Sequence, residues 1–330
     1  IGGSILGTKS IYSFFKNKIK KNVFFLDNLD SDLNYNLKKI KNLKDSCFII
    51  VSKSGDTLET IVNFGLIFSK SLLKNKLIII TEIKDSILMS IANQFNAEVI
   101  EHKNFISGRY SVFSEVGMFP AALMKLDIFK FQNLRSLVSN KKFIYSLIKN
   151  VASIYTFYQS GIRNSVILNY DSNLKDLCFW YQQLVGESLG KGKSGITPII
   201  SECPKDHHSL MQLYLDGPRD KFFTFLSFRN KNTKNKVSKE IVKKSTKFLK
   251  NKSLNSIIEA QCTAAKNIFD LERIPYRSLV FKARDERELS NIISFFVLEI
   301  LLLSRLMQVN PFDQPAVEKI KVETKKILLK

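Results

Sequence analysis

Short apolar runs alternate with longer helical patterns along this chain of 330 residues, and no other feature limits its fold so strongly. In the first half, each run is too short for a helix and is followed by the 3.6-residue period of an amphipathic helix. These runs lie at 23–26, 48–51, 77–80 and 98–100. Strands separated by helices run parallel, so the pattern predicts an α/β fold with doubly wound parallel sheets.

The same alternation restarts in the second half of the chain. It predicts strands over 165–168, 197–200 and 222–228. Helices are predicted near 32–40, 58–73 and 87–95, within 116–158, over 174–189, and from about residues 238 and 254 onward. The chain is therefore predicted to form two α/β units, residues 1–150 and 151–330, the second of which ends in a C-terminal helix.

The chain begins with IGGS, residues 1–4, rather than with Met. A glycine-rich turn of this kind normally follows a strand in a parallel α/β fold. The sequence therefore predicts that an N-terminal segment is missing before Ile1.

The formal net charge of +21 suggests a polyanion as partner, but the kind and spacing of the basic residues argue against one. Only 10 of them are arginines, whose planar fork is the usual reader of phosphates and bases. The other 41 are lysines, which are scattered rather than clustered with aromatic residues. We therefore expect no nucleic-acid partner, and the role left for the charge is attraction of an anionic substrate.

Neither a membrane span nor a metal site is predicted. The most apolar segment, 292–307, is interrupted by hydroxyl and charged side chains and lacks the roughly 18 consecutive apolar residues of a span, so it predicts a buried core helix. The four cysteines lie far apart and there are only three histidines, so zinc is not expected. Reduced thiols and the lack of a visible signal peptide favour a cytoplasmic protein.

The stretch SKSGDTLET, residues 52–60, joins a predicted strand to a predicted helix and is a candidate anion site. A helix N-terminus offers unpaired backbone N–H groups and a positive partial charge, and Gly55 allows a ligand to approach closely. Asp56 and Glu59 fit a capping box on the same helix. The hydroxyl groups that could donate to a phosphate belong to Ser52, Ser54 and Thr57. A capped turn that binds nothing has the same sequence pattern, so both interpretations stay open at this point.

Two further segments contain side chains suited to charge stabilisation or proton transfer. In GRYSVFSEVG, Arg109 follows Gly108 in a loop, where a guanidinium could stabilise an oxyanion. In the helix predicted over 174–189, Gln183 and Glu187 are four residues apart and share one face, and Glu187 is a candidate general base. A surface arginine and a solvated glutamate are the alternatives for these two residues.

Two of the three histidines, His207 and His208, are adjacent in a chain that is otherwise poor in histidine. Imidazole is the usual proton shuttle near neutral pH. One surface histidine beside one packed histidine would give the same sequence.

A last candidate segment lies near the C-terminus. Pro315 fits the first turn of a helix that Asp313 could cap. Gln314 and Lys321 are seven residues apart and are expected on one face of that helix. The alternative for Lys321 is one of the many surface lysines.

Six segments, in chain order, resemble the phosphoglucose isomerase family. IGGSILG resembles the family's first glycine turn, cut at its first residue, and SKSGDTLET resembles its phosphate loop. GRYSVFSEVG, QQLVGESLGK, HSLMQL and DQPAVEKIK resemble, respectively, its arginine motif, the helix with its base, its histidine segment and its C-terminal motif. The resemblance covers nearly the whole chain, and six motifs in order are far more specific than any one of them.

The resemblance implies an isomerase that interconverts glucose 6-phosphate and fructose 6-phosphate, built from two SIS (sugar isomerase) domains without metal or cofactor. Glu187 would move the proton between C2 and C1, Arg109 would stabilise the cis-enediolate, and His208, assisted by Lys321, would open the sugar ring. The residues that would bind the substrate are Gly3, Ser4, Ser52, Lys53, Ser54, Thr57, Gln183 and Gln314. Because the family's histidine segment comes from the partner subunit, a homodimer is also implied.

Three positions depart from the family pattern. Ser107, just before the arginine motif, replaces a usual glycine, and Glu115, within that motif, replaces a usual small residue. His207 stands where the family often has another polar residue, and the spacing to Gln212 favours His208 as the acting histidine.

Two other functions are compatible with a chain of this type. One is an SIS isomerase for amino-sugar or pentose phosphates, which DQPAVEKIK and HSLMQL argue against. The other is a regulator that senses sugar phosphates, which would need a helix-turn-helix segment that the sequence does not show.

Overall fold

Two sheets, each with all of its strands parallel, form the frame of the protein. The computed structural model describes residues 1–33, 45–68, 76–229 and 234–330. The chain divides into two units, Ile1–Gln132 and Asn133–Lys330, and each contains one sheet. The predicted α/β class with parallel sheets is confirmed. Residue 150, where the sequence suggests a division, lies within a helix of the second unit.

The first unit has a three-stranded sheet in the order β1-β2-β3. Its strands are β1 (Cys47–Val51), β2 (Lys76–Thr81) and β3 (Glu98–Glu101). Its helices are α1 (Gly3–Phe15), α2 (Leu58–Phe68), α3 (Ile87–Phe95) and α4 (Glu115–Leu123), with 3₁₀ turns at Gly108–Phe113 and Ile128–Phe131. The central strand β2 was predicted well because its side chains are buried on both faces of the sheet. Ile78, Ile79 and Ile80 are at most 2% exposed, as expected for a parallel sheet that is covered on both faces.

The prediction of a strand at 23–26 is wrong. The structure assigns no strand there, and β1 pairs only with β2 within the described residues. The segment packs through its side chains instead: the Phe25 ring meets Tyr12 edge to face at 5.4 Å, and Leu26 packs against a small cluster that contains Leu33 and Ile67. Phe25 and Leu26 are thus half-buried without joining a backbone ladder. The helix predicted over 32–40 and the end of the one predicted over 58–73 lie mostly outside the described residues.

The second unit has a four-stranded sheet in the order β5-β4-β6-β7. Its strands are β4 (Asn164–Asn169), β5 (Thr197–Glu202), β6 (Lys221–Phe228) and β7 (Tyr276–Phe281). Its helices are α5 (Leu134–Val138), α6 (Lys141–Gln159), α7 (Lys175–Leu189), α8 (Met211–Asp216), α9 (Leu254–Leu271), α10 (Glu286–Leu306) and α11 (Pro315–Leu328). Short 3₁₀ turns occupy Ser172–Leu174, Lys205–His208, Lys239–Ile241 and Lys244–Leu249. The predicted C-terminal helix is confirmed as α11.

Two elements of the second unit differ from the sequence prediction. Strand β7 was not predicted, because Arg277 and Ser278 interrupt its apolar pattern. The helix predicted from about residue 238 is replaced by two 3₁₀ turns. Lys239, Lys243 and Lys247 are spaced four residues apart, so a helix would bring these like charges together on one face.

Helix α10 is the predicted core helix. By length and composition it would qualify as a membrane span, but 56% of its apolar window is buried inside the protein. Its fully buried Glu299 forms an ion pair with Arg277 on β7. The same carboxylate accepts hydrogen bonds from the Asn150 amide on α6 and, at 3.1 Å, from the Tyr181 hydroxyl on α7. This network joins three helices to the sheet.

Candidate functional site

The predicted anion loop follows the carboxyl end of β1 as a tight turn. Ser52 is buried, and its Oγ lies 2.7 Å from Thr57 Oγ1. Gly55 has a φ of +77°, and a Cβ at this position would lie 2.3 Å from Ser86 Oγ, so the turn needs glycine. Ser54 is exposed at the tip. The structure therefore brings the hydroxyl groups of Ser52 and Thr57 together at the carboxyl edge of a parallel sheet, where ligands of such folds bind.

The charged side chains of this loop also have defined partners. Lys53 Nζ donates to the Asn104 carbonyl at 2.6 Å and lies 3.7 Å from Glu82 Oε1. Asp56 does not form the predicted capping box on α2: its Oδ1 accepts from the Ile87 N–H at 3.0 Å, at the start of α3. The carboxylate of Asp56 is thus used to fix a neighbouring helix.

Arg109 is only 1% exposed, so the surface alternative for this residue is wrong. It lies in the 3₁₀ turn Gly108–Phe113, with its guanidinium 5.3 Å from the centre of the Tyr110 ring. A cation held over a ring face is favoured, and more strongly when it is desolvated. Neither Ser107 before the turn nor Glu115 after it prevents this burial.

The first turn of α1 packs directly against the turn that contains Arg109. Helix α1 begins at Gly3, so Ser4 lies in its first turn. A Cβ on Gly3 would lie 2.2 Å from the Gly108 carbonyl carbon and 2.5 Å from the Arg109 nitrogen. Ser111 Oγ donates to the Gly108 carbonyl at 2.7 Å and lies 3.4 Å from the Gly3 carbonyl. Three of the predicted site residues, Gly3, Ser4 and Arg109, are therefore neighbours.

Replacing Gly3 with alanine is expected to lower the free energy of unfolding by about 1–3 kcal/mol, because the new methyl group meets backbone that cannot move aside locally. Urea denaturation measures this. The control is Gly65→Ala on α2, where a Cβ has no neighbour within 4 Å. That variant should be neutral or stabilised by up to about 1 kcal/mol, since alanine favours a helix over glycine. Equal stability of the two variants would contradict the packing described here.

In the second unit, Gln183 and Glu187 lie together on α7 as predicted. Gln183 Nε2 donates to Glu187 Oε1 at 2.8 Å, and both side chains are half-buried. Gln183 Oε1 is buried and has no hydrogen-bond partner among the residues that the structure describes. The pair thus combines a carboxylate of fixed orientation with an amide oxygen that can still accept a hydrogen bond.

Lys191 was not predicted as a site residue, but it fixes the end of this helix. Its Nζ donates to the backbone carbonyls of Glu187 at 2.8 Å and Ser188 at 3.2 Å. It also lies 3.3 Å from Asp313 Oδ1, in the segment before α11. The sequence feature that could have predicted this role is a lysine just after the glycine that ends the helix, because such a side chain can bind the last carbonyls of the helix.

The start of α11 differs in part from the prediction. Gln314, not Asp313, occupies the N-cap position, and Pro315 is the first helical residue as predicted. Asp313 pairs with Lys191 and accepts from Asn310 Nδ2 at 3.0 Å. The predicted capping role of Asp313 is therefore replaced by a link to the end of α7.

Helix α11 is exposed along its whole length. Lys321 is 61% exposed at its side chain, and its Nζ lies 2.6 Å from Glu318. The apolar residues Val317, Ile320 and Ile327 are 41%, 71% and 62% exposed, and their spacing places them on one face. In the described contacts Lys321 touches neither Gln183 nor Glu187.

The two adjacent histidines have different environments. Both lie in the 3₁₀ turn Lys205–His208, which follows the carboxyl end of β5. His207 is half-buried, and its Nε2 lies 2.6 Å from the Tyr170 hydroxyl. Burial lowers the pKa of His207, and the neighbouring His208 adds to this effect. His208 is exposed, and its ring makes no hydrogen bond within the described part of the chain.

Comparison with known proteins gives a consistent result. The model of the phosphoglucose isomerase family matches residues 1–202. The glucose-6-phosphate isomerase of Methanocaldococcus jannaschii is 32% identical over 337 residues, which cover 97% of this chain and 81% of that protein.

Solved structures show the same fold. A hypothetical protein from Thermus thermophilus superposes with a TM-score of 0.89 at 23% identity, over 99% of this chain and 82% of that one. A glucose-6-phosphate isomerase from Chlamydia trachomatis superposes with a TM-score of 0.81 at 21% identity, over 99% and 68% of the two chains.

Proposed function

The chain belongs to the phosphoglucose isomerase family, and we propose that it interconverts glucose 6-phosphate and fructose 6-phosphate by way of a cis-enediolate. The observation that carries this proposal is the Gln183–Glu187 pair. A half-buried carboxylate, held at 2.8 Å by an amide, has the chemistry and the fixed orientation of a general base.

Aldose–ketose conversion moves one hydrogen between C2 and C1 of the open sugar. Glu187 would take the proton from C2, and the negative charge would appear on the enediolate oxygens. A proton would pass from the O2 hydroxyl to O1, and the same carboxylic acid would return its proton to C1 as the C2 carbonyl forms, so that the base is regenerated. The buried guanidinium of Arg109 suits stabilisation of that charge, because a cation is most effective where water is excluded.

Ring opening must come first. The C1–O5 bond breaks, O5 gains a proton, and the O1 hydroxyl loses one as the C1 carbonyl forms. His208 would supply the proton to O5, with Lys321 assisting. An exposed imidazole without a hydrogen-bond partner in the described residues is available for this step.

The remaining site residues would bind the substrate. The loop with Ser52, Lys53, Ser54 and Thr57 would hold the phosphate, since this turn combines hydroxyl groups and a lysine just before the N-terminus of α2. The other residues proposed to contact the sugar phosphate are Gly3, Ser4, Gln183 and Gln314. The proposed steps use only these side chains and no cofactor.

The same proposal includes a homodimer in the cytoplasm, in which His208 acts in the partner's site. Two features support it: His208 is exposed with a ring open to other contacts, and α11 exposes Val317, Ile320 and Ile327 on one face. Exposed apolar faces of this kind are typical of interfaces between proteins.

Mixing two inactive variants tests the shared site. Chains with Glu187→Gln and chains with His208→Ala are unfolded, combined and refolded. If each site takes His208 from the partner, a hybrid dimer has one intact site, so the mixture should regain about a quarter of wild-type activity. Refolding each variant alone is the control. No recovery in a mixture shown to contain hybrid dimers would contradict the shared site.

The function itself is tested by giving the purified protein fructose 6-phosphate and following glucose 6-phosphate with a coupled dehydrogenase. We expect turnover without added metal. Tight sugar-phosphate binding without turnover would overturn the proposal in favour of a sensing role. Turnover only with amino-sugar or pentose phosphates would favour another SIS isomerase, although the family match gives no support to either alternative.

A further inference from the structure

The turn that presents His208 is anchored to the protein at two points. The first anchor is the buried Asp206, whose Oδ2 accepts from the Glu202 N–H at 2.7 Å and whose Oδ1 accepts from Ser209 Oγ at 3.0 Å. Both partners are close in sequence, so this anchor shapes the turn locally. The second anchor is His207, and its partner is 37 residues away.

That partner, Tyr170, follows the central strand β4 directly and is held firmly. It is 4% exposed, its backbone N–H donates to the Leu226 carbonyl at 2.8 Å, and its ring stacks on Phe225 at 6.0 Å. Its hydroxyl lies 2.6 Å from His207 Nε2, and the two rings meet edge to face at 5.6 Å.

Burial also sets the charge of this pair. It raises the pKa of Tyr170 far above its usual range and lowers that of His207, so both groups are neutral near pH 7. The contact is therefore a hydrogen bond between two neutral groups, and the tautomer of His207 decides which of them donates.

We propose that the Tyr170–His207 hydrogen bond positions His208 for ring opening. In a 3₁₀ turn, with about three residues per turn, adjacent side chains point roughly 120° apart. Fixing His207 against the sheet therefore directs His208 away from the unit. In this account, which rests on the proposed function, Tyr170 and His207 are positioning residues. Of these three side chains, only that of His208 contacts the substrate.

The variant Tyr170→Phe removes the hydrogen bond and leaves the ring stack on Phe225. We expect kcat for isomerisation to fall about tenfold with KM little changed, because the catalytic imidazole is misplaced while the substrate-binding residues are intact. The matched control is Tyr214→Phe. Tyr214 is equally buried in the same core cluster, but its hydroxyl meets Ser201 Oγ at 2.7 Å and not the histidine turn. Both variants should lose similar stability, and the control should keep wild-type kcat.

A second readout isolates ring opening. Opening and reclosing the ring exchanges the α and β anomers of glucose 6-phosphate, which NMR exchange spectroscopy follows without any isomerisation. Tyr170→Phe should slow enzymic anomer exchange as much as it slows turnover. Glu187→Gln should stop isomerisation but leave anomer exchange, since the base acts only after the ring is open.

Substitutions at His207 complete the test. His207→Leu should reproduce the loss seen in Tyr170→Phe, and the double variant should lose no more than either single one. His207→Gln, whose amide can donate or accept a hydrogen bond at the Tyr170 hydroxyl, should recover part of the activity.

Equal kcat in Tyr170→Phe and Tyr214→Phe would overturn the inference, as would additive losses in the double variant. An inactive wild-type protein would instead show that the proposed function fails, and the inference would fall with it.

Discussion

Glu187→Gln is expected to lower kcat for the isomerisation of fructose 6-phosphate by about 10³-fold, within the range that a general base contributes. The amide has nearly the same shape and can still accept the 2.8 Å hydrogen bond from Gln183, but it cannot take a proton from carbon. KM should change little, because the residues proposed to hold the phosphate are unchanged. Steady-state kinetics with the coupled assay measures both constants.

Glu259→Gln is the matched control for this loss. Glu259 is an exposed glutamate on α9, in the same unit and also on a helix, so the substitution changes the net charge by the same amount. It should keep full activity. If Glu187→Gln retained more than a tenth of wild-type kcat, Glu187 would not be the base.

Glu299→Gln is expected to lower the free energy of unfolding of the second unit by about 3–5 kcal/mol, which is the usual effect of removing one partner from a buried ion pair. The carboxylate is fully buried and bonds to Arg277 at both oxygens, with one NH2–Oε1 distance of 3.2 Å. Without it, a guanidinium whose side chain is only 15% exposed loses its counter-charge. Urea denaturation followed by fluorescence suits this test, because the single tryptophan, Trp180, is buried on α7 in this unit.

Glu272→Gln provides the comparison for this second effect. Glu272 pairs with Arg219 at 3.4 Å, but both side chains are about half exposed, so the loss should lie between about 0 and 1 kcal/mol. Replacing Arg277 and Glu299 together by apolar residues should recover much of the stability lost in Glu299→Gln. A loss below about 1 kcal/mol in Glu299→Gln would show that water or another group compensates the guanidinium.

The parts of the fold that the sequence predicts well are those in which burial is local and continuous. The run at 77–80 is apolar at every position because β2 is covered on both faces. Strand β7 was not predicted because Arg277, its second residue, is paired with Glu299, which lies 22 residues later in the sequence, and no local pattern reveals that pairing. The run at 23–26 shows the opposite error, because an apolar run predicted a strand that does not form. Its Leu26 packs against a small apolar cluster, and no strand pairs with this run within the described residues.

The candidate site also contains contacts that the sequence predicts and contacts that it does not. Gln183 and Glu187 could be paired from their spacing alone, because a helix brings residues four apart together. The contacts Lys191–Asp313 and Tyr170–His207 depend on the tertiary structure, so they cannot be predicted from spacing in the sequence. The packing of Gly3 against Gly108 could not be predicted either, because the sequence does not show which backbone atoms lie beside a glycine.

The two faces of helix α7 make different contacts, so the number of residues between those contacts is fixed as well as their identity. Tyr181 is tied inward to Glu299, while Gln183 and Glu187 stand on the other side, two and six residues later. One inserted or deleted residue between them would rotate the rest of the helix by about 100°. An insertion would move the proposed base to the buried position that Ser188 now occupies, and a deletion would move it to the exposed position of Gly186. A change of length between Tyr181 and Glu187 would therefore separate the inward contact from the proposed base, whereas a point substitution on α7 changes one face at a time.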